Sequence, residues 1–228
     1  MKNQNQTPTR RAAAFTLIEL LVVIAVIAIL AALIFPAFGS IKKNQKVKLA
    51  QAELAQLETA IEAYKAKRGT YPPDNPNSAL INPLFFELKG TIRSGTGDYK
   101  TLDGSGEIKA SEFSGFYSNL ALTGFVNSSA SAKGDDEKAA AQNFLPDLKP
   151  GQSGAPRAAL LPNIKVLSSA VRVDEPANYP VVGSDPAGLN PWRYVSTKPP
   201  NNVNSYDLWV DLVIAGKTNR VSNWSNKP

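Results

Sequence analysis

Residues 15–35 read FTLIELLVVIAVIAILAALIF, an apolar run with one charged residue, Glu19. A helix of about 20 apolar residues can cross the hydrocarbon core of a bilayer, which is about 30 Å thick. The run therefore predicts a membrane-spanning helix over residues 15–35. A carboxylate inside such a helix costs about 2.5–3.5 kcal/mol on insertion scales, which makes Glu19 a candidate functional residue.

The segment before this run has the composition of an export signal. It is polar and basic, with Lys2, Arg10 and Arg11, and it ends in the small residues Ala12–Ala14. This order puts the cleavage point before the apolar segment instead of after it. We therefore expect residues 1–14 to be a leader peptide and the apolar helix to stay in the mature chain.

This arrangement resembles the prepilin family, which includes type IV pilins and the pseudopilins of type II secretion systems. The resemblance rests on the leader ending at Ala14, on Phe15–Glu19, on the apolar run and on Pro36. It implies that a prepilin peptidase cuts between Ala14 and Phe15 and methylates the new Phe15 amine. It also implies that the apolar helices form the core of a helical filament, with Glu19 and Pro36 as assembly residues. The chain departs from the family at Ala14, where Gly is usual.

The position of Glu19 suggests a register role in such a filament. Cleavage gives Phe15 a positive amine, and Glu19 lies four residues later, on the same helix face. In a packed filament, the amine of a neighbour could neutralise this carboxylate where an unpaired charge is costly. The alternative is an uncleaved signal anchor in which Glu19 has no special role.

Composition limits the class of protein. The chain has 228 residues and 43% hydrophobic content, enough for one anchor and one modest domain. Its formal charge is +6, of which the leader holds three, and the remaining +3 does not favour a nucleic-acid partner. It contains no Cys and no His, which excludes disulfides, zinc sites with those ligands and catalysis by those residues. Many type IV major pilins carry a C-terminal disulfide, so its absence favours a pseudopilin.

The apolar run continues into a predicted amphipathic helix over residues 36–68. Its apolar positions recur at spacings of three and four, which is typical of a helix with one buried face. They are Val47, Ala50, Leu54, Leu57, Ile61 and Tyr64. Gly69 and the prolines that follow it predict the end of the helix. A coiled-coil seam is a weaker alternative, because the stripe is short.

Two later stretches strengthen the resemblance to the major pseudopilin of type II secretion. The first, at the predicted helix end, comprises Tyr64, Lys65, Gly69, Tyr71 and Pro72. The second, near the C-terminus, comprises Asn190-Pro191-Trp192, Tyr206-Asp207-Leu208 and Trp224. Both matches imply a family fold, not an active site.

The rest of the chain divides into a lobe over residues 69–188 and strands over residues 189–228. In the lobe, Asp135–Glu137 predicts the start of a short helix and Pro150–Pro156 predicts a loop. In residues 206–214, the apolar residues Tyr206, Leu208, Val210, Leu212 and Ile214 alternate with Asp207, Trp209, Asp211 and Val213. This period of two predicts a half-buried strand, with a returning strand over residues 218–224. The fold class is therefore α+β and pilin-like: a long N-terminal helix on a small C-terminal antiparallel sheet.

Calcium is the one cofactor that the sequence suggests. In the resembled family an acidic loop between the last elements binds calcium, but residues 215–222 contain no acid. A different stretch, Thr101–Glu112, has the spacing of an EF-hand loop. Its candidate ligands are Asp103, Ser105, Glu107 and Glu112. The alternative is a polar turn between two strands, where Asp-Gly and Ser-Gly are common.

The lysines after the apolar run and the three tryptophans each have two interpretations. The basic residues Lys42, Lys43, Lys46 and Lys48 follow the apolar run, and they suit either anionic lipid headgroups or simple solvation. The three tryptophans suit core packing better than stacking on a ligand.

Together these features predict a structural subunit without enzymatic activity. It would be anchored in the inner membrane by a single span, with its C-terminal domain in the periplasm, and it would assemble with itself into a type II secretion pseudopilus that supports protein export. The implied partners are the prepilin peptidase, the inner-membrane assembly platform, other pseudopilins and membrane lipid, but no nucleic acid. The alternative is a type IV pilin or minor pilin for adhesion, motility or DNA uptake. A signal-anchored enzyme is disfavoured, because no catalytic constellation stands out.

Overall fold

The computed structural model describes residues 15–117, 124–130, 140–156, 163–173 and 188–225, with backbone alone for residues 33–41 and 114–117. Contacts divide the chain into two compact units, residues 1–44 and 45–228. The predicted helix that begins at Asp135 lies outside the described residues.

The first unit contains the beginning of helix α1, which spans Leu17–Arg68 and continues through Pro36. Between Leu17 and Leu30 every large apolar side chain is exposed, with exposed fractions of 48% to 81%. No helix in the described part of the chain is both long and apolar enough to cross a membrane. The predicted span over residues 15–35 therefore stays a prediction.

The second unit begins with the rest of α1, and there the predicted apolar stripe is buried. Its members join one hydrophobic core with the strands near the C-terminus. The helix ends at Arg68, and Gly69 follows with a φ of 82° while its N–H donates to the Lys65 carbonyl at 2.8 Å. A left-handed residue with this bond is a common helix C-terminus, so the predicted end is confirmed.

After α1 the chain forms two short helices and ten strands in its described part. The helices are α2 (Leu84–Lys89) and α3 (Ala110–Tyr117). The strands are β1 (Thr91–Arg93), β2 (Tyr99–Thr101), β3 (Glu107–Ile108), β4 (Ser128–Ser129), β5 (Ser153–Gly154), β6 (Val166–Ser169), β7 (Asn190–Pro191), β8 (Arg193–Val195), β9 (Asp207–Ile214) and β10 (Lys217–Ser222).

The strands form three sheets. The C-terminal sheet has the order β10-β9-β8 and is antiparallel throughout, which confirms the predicted sheet. A second antiparallel sheet has the order β5-β6-β7. The third has the order β3-β2-β1-β4, with β4 parallel to β1. The last two sheets were not predicted, and β5 lies inside the stretch predicted as a loop.

The alternation along β9 sets how the C-terminal sheet meets the core. Leu208, Val210 and Leu212 are fully buried and belong to the same core cluster as the α1 stripe. Full burial of a leucine side chain stabilises a fold by about 1.5–3 kcal/mol. The side chains between them point to the other face, as the period of two requires.

The turn between β9 and β10 is strained at one position. Ala215 and Gly216 connect the paired residues Ile214 and Lys217, and both have positive φ, 50° and 71°. A two-residue hairpin turn of this kind favours Asn-Gly, because Asn tolerates the left-handed conformation better than Ala does.

We therefore expect Ala215→Asn to raise the free energy of unfolding by about 0.5–1 kcal/mol. Denaturant titration of the two proteins measures the difference. Ala215→Val is the matched control, and it should lower stability because a β-branched residue fits this conformation poorly. Equal stability of the Asn and Val variants would contradict the argument.

Candidate functional site

The start of α1 holds Glu19 in a hydrogen-bonded cap. The Thr16 backbone N–H and the Thr16 hydroxyl both donate to Glu19 Oε2 at 2.8 Å. The Glu19 N–H donates in return to Thr16 Oγ1 at 3.3 Å. This is a capping box, in which Thr and Glu three positions apart satisfy N–H groups that the first helical turn leaves free. This capping box was not predicted, although Thr-x-x-Glu before an apolar run is its known sequence signature.

The capping box is compatible with the predicted register role of Glu19. Its bonds use Oε2, and a carboxylate can accept hydrogen bonds on both oxygens. The box also survives cleavage before Phe15, because the Thr16 N–H belongs to the peptide bond between Phe15 and Thr16. An approaching amine would therefore meet a carboxylate that the helix already holds in place.

The other predicted processing and assembly residues are placed as follows. Phe15 is 80% exposed and precedes the helix, so its backbone is accessible. Ala14 lies outside the described residues. Pro36 lies within α1, and its side chain is not described. The assignment of cleavage, methylation and assembly to these residues stays a prediction.

The predicted calcium loop forms the turn of a β-hairpin. Strands β2 and β3 pair antiparallel, and the turn between them closes when the Gly106 N–H donates to Thr101 Oγ1 at 2.8 Å. Asp103 lies in this turn, and its carboxylate already has partners. Oδ2 accepts from Lys89 Nζ at 2.7 Å, and Oδ1 accepts from the Ser105 N–H at 3.0 Å and the Ser105 hydroxyl at 2.6 Å.

The remaining acidic candidates, Glu107 and Glu112, lie in other positions or have other partners. Glu107 is exposed on β3, opposite Lys100 on β2. Glu112 accepts from the Lys109 N–H at 3.1 Å, which caps α3, and from Asn163 Nδ2 at 2.7 Å. In the described part of the chain, no three acidic side chains form a group that could hold a metal ion. Asp103 and Glu112 thus already have partners within the chain, and the assignment of these residues to calcium stays a prediction.

The acids near the C-terminal strands are also engaged. The buried Asp207 accepts from the Asn201 N–H at 3.0 Å and the Asn202 N–H at 2.9 Å, and so holds the loop before β9. Asp211 accepts two bonds from Arg220, at 2.7 and 3.1 Å, with Arg193 at 3.8 Å. These carboxylates stabilise the sheet and leave no open cation site between them.

The tryptophans divide into two groups. Trp192 is buried in the core, as predicted. Trp209 and Trp224 are half-buried and contact each other edge-to-face, with ring centroids 5.4 Å apart. The Arg220 guanidinium lies 5.9 Å from the Trp209 ring. The pair therefore packs within the C-terminal sheet, where both rings have partners.

Comparison with known proteins finds a known motif at the N-terminus of the chain. Residues 9–35 match the family described as the prokaryotic N-terminal methylation motif. Over 74 residues the chain is 35% identical to the type II secretion system core protein G of Aeromonas hydrophila, an overlap of 32% of this chain and 52% of that protein. The chain thus spans about half the length of the curated relative it matches. No solved structure gives a significant match.

The ion pair of Asp103 gives a pH-dependent prediction. Partial burial raises the pKa of Asp103, but the bonds from Lys89 and Ser105 outweigh this effect and hold the pKa well below its usual range. Because the folded pKa is the lower one, the stabilisation is complete above about pH 4 and is lost as the pH falls toward the folded value. Asp103→Asn should therefore reduce stability by about 1–2 kcal/mol at neutral pH, since the carboxylate is partly solvated, and should flatten the acid limb of a stability–pH profile.

Adding calcium to the parent chain and to Asp103→Asn tests the alternative that Asp103 binds an ion. If Asp103 bound an ion, millimolar calcium would raise the melting temperature of the parent chain and not that of Asp103→Asn. The observed geometry predicts no shift for either protein, because Lys89 already neutralises the carboxylate.

Proposed function

We propose that this chain, which carries the prokaryotic N-terminal methylation motif at residues 9–35, is a non-enzymatic structural subunit of a type II secretion pseudopilus. The observation that carries the proposal is the start of α1. There a helix with exposed apolar side chains begins with a capping box that contains the Glu19 carboxylate. The 35% identity to a type II secretion core protein G supports the secretion system over other filaments.

The first step in this proposal is processing. A prepilin peptidase cuts between Ala14 and Phe15 and methylates the Phe15 amine. Ala14 is small and follows a basic leader, which suits a peptidase pocket that normally receives Gly. Residues 15–35 then anchor the subunit in the inner membrane by one span, with the C-terminal domain on the periplasmic side.

The second step is assembly. Each apolar side chain exposed between Leu17 and Leu30 gains about 1.5–3 kcal/mol of free energy when it is removed from water. This part of the helix is therefore stable only in contact with other apolar groups. Lipid covers it before assembly, and the helices of neighbouring copies cover it in a filament. Because lipid and leucine are equally apolar, this exchange has little hydrophobic driving force. A polar contact such as that between Glu19 and a neighbour's amine can therefore set the register.

The partners follow from the same proposal. Copies of this chain form the filament, other pseudopilins join it, and an inner-membrane assembly platform drives subunits into it. Growth of the filament supports the export of proteins.

Processing predicts a defined mass change. With a prepilin peptidase, the membrane form should begin at Phe15 and carry one added methyl group, and without it the chain should begin at Met1. Intact-mass spectrometry distinguishes the two species. Ala14→Gly should be processed at least as fast, whereas Ala14→Leu should block cleavage through its bulk. A parent chain that stays uncut beside a cleaved Ala14→Gly control would mean that Ala14 prevents processing.

Assembly predicts different effects for the charge and for the cap. Glu19→Gln keeps a side chain that can complete the capping box but removes the charge. It should lower filament yield about tenfold or more, because a neighbour's amine is left unpaired in a dry core. Thr16→Ala removes the hydroxyl half of the cap but keeps the charge, so it should lower helix stability by about 1 kcal/mol and still permit assembly. Filament yield and subunit register are measured by electron microscopy.

The reverse pattern would assign Glu19 to capping alone. In that case Glu19→Gln would assemble with normal yield and register, and Thr16→Ala would show the larger defect. Glu19→Ala removes both functions and is the reference for complete loss.

A further inference from the structure

A cluster of positive charge follows the apolar segment of α1. Lys42, Lys43, Lys46 and Lys48 fall within seven residues, and no Asp or Glu occurs from residue 20 to residue 52. Lysines at spacings of three and four are neighbours on a helix and repel each other, which weakens the helix. The helix itself therefore gains nothing from this cluster.

The structure leaves most of these charges open to an external partner. Lys42, Lys43 and Lys48 are exposed, and in the described part of the chain no ion pair involves them. Lys46 is half-buried and has an interaction within the chain. Val47 is buried, so the domain core begins to cover α1 at this point.

Resting on the proposed membrane anchor, we propose that Lys42 and Lys43 bind the anionic headgroups of phospholipids and hold the unassembled subunit at the membrane surface. The partner is an anionic lipid because the apolar segment that precedes the lysines brings this surface within reach. Each lysine next to a membrane multiplies the affinity for anionic lipid by about five.

The length of the apolar segment brings Lys42 and Lys43 within reach of the membrane surface. The 21 residues from 15 to 35 extend about 32 Å, close to the roughly 30 Å of the hydrocarbon core. If Phe35 lies at the edge of that core, a rise of about 1.5 Å per residue puts the backbone of Lys42 about 10 Å beyond it. The headgroup layer is about 5–7 Å deep, so the flexible side chains of Lys42 and Lys43 can reach back to the phosphates.

A unique label makes the lipid preference measurable. The chain has no cysteine, so Asn44→Cys, at an exposed position, places a fluorophore beside the lysines alone. The full chain is reconstituted in vesicles of phosphatidylcholine with phosphatidylglycerol. The fluorophore is quenched by nitroxide-bearing phosphatidylglycerol or, separately, by nitroxide-bearing phosphatidylcholine. The ratio of the two quenching constants reports the local enrichment of anionic lipid.

We expect the ratio to favour phosphatidylglycerol and to fall as salt is added. Replacing Lys42 and Lys43 by Gln should remove most of the preference, about fivefold for each lysine. The matched control replaces Lys198 and Lys217, two exposed lysines far along the chain, and should leave the ratio unchanged.

Three results would overturn the proposal. One is equal quenching by both lipids, and another is an equal loss in the control variant, which would mean that net charge alone matters. The third is a Lys42/Lys43 variant that keeps the lipid preference but loses filament formation, which would assign the lysines to an acidic surface of a second copy. Flotation of the parent chain with vesicles tests the anchor separately, so a failure of the proposed function is recognisable before any quenching is measured.

Discussion

The hydrophobic core that α1 shares with the C-terminal sheet is the feature on which the described domain depends. Apolar residues of the α1 stripe and of β9 belong to one core cluster. Two buried carboxylates add directional hydrogen bonds to this apolar packing. Glu53 on α1 accepts from the Ser169 hydroxyl at 2.7 Å and the Ala170 N–H at 3.0 Å. Glu87 on α2 accepts from the Tyr64 hydroxyl at 2.9 Å. Each bond ties a segment of the lobe to one turn of the helix, so the lobe cannot slide along α1 without leaving a buried charge unpaired.

The same helix shows the opposite behaviour in its first half. Between Leu17 and Leu30 it exposes apolar side chains on all sides, and a soluble monomer rarely keeps such a surface. The first half of α1 therefore suits contact with surroundings other than its own chain, whereas the second half packs against its own domain. The spacing of the apolar residues explains the difference between the two halves. An uninterrupted apolar run has no preferred face, but a period of three and four selects one.

The sequence predicted the long-range features and missed the short ones, for physical reasons. The stripe on α1 and the alternation of β9 extend over many residues, so their periods are unmistakable. Strands of two to four residues, such as β4 and β5, are too short to show a period. The turn after β2 has a composition that serves either a turn or a calcium ion, since both need Gly and oxygen-bearing side chains. The bond from Lys89, which lies 14 residues before Asp103 in sequence, could not be revealed by spacing within the loop.

A domain without disulfides must hold its lobe by other means, and here buried polar pairs take that place. The Lys89 ammonium is almost fully buried and joins the end of α2 to the β2–β3 turn through Asp103. Burial raises the pKa of Glu87, while backbone donors from Asn127 and Val126 favour the charged form. Such pairs add little net stability compared with apolar groups of equal size, but removing one partner is costly. They therefore fix which segments meet, and the apolar core supplies most of the free energy that keeps them together.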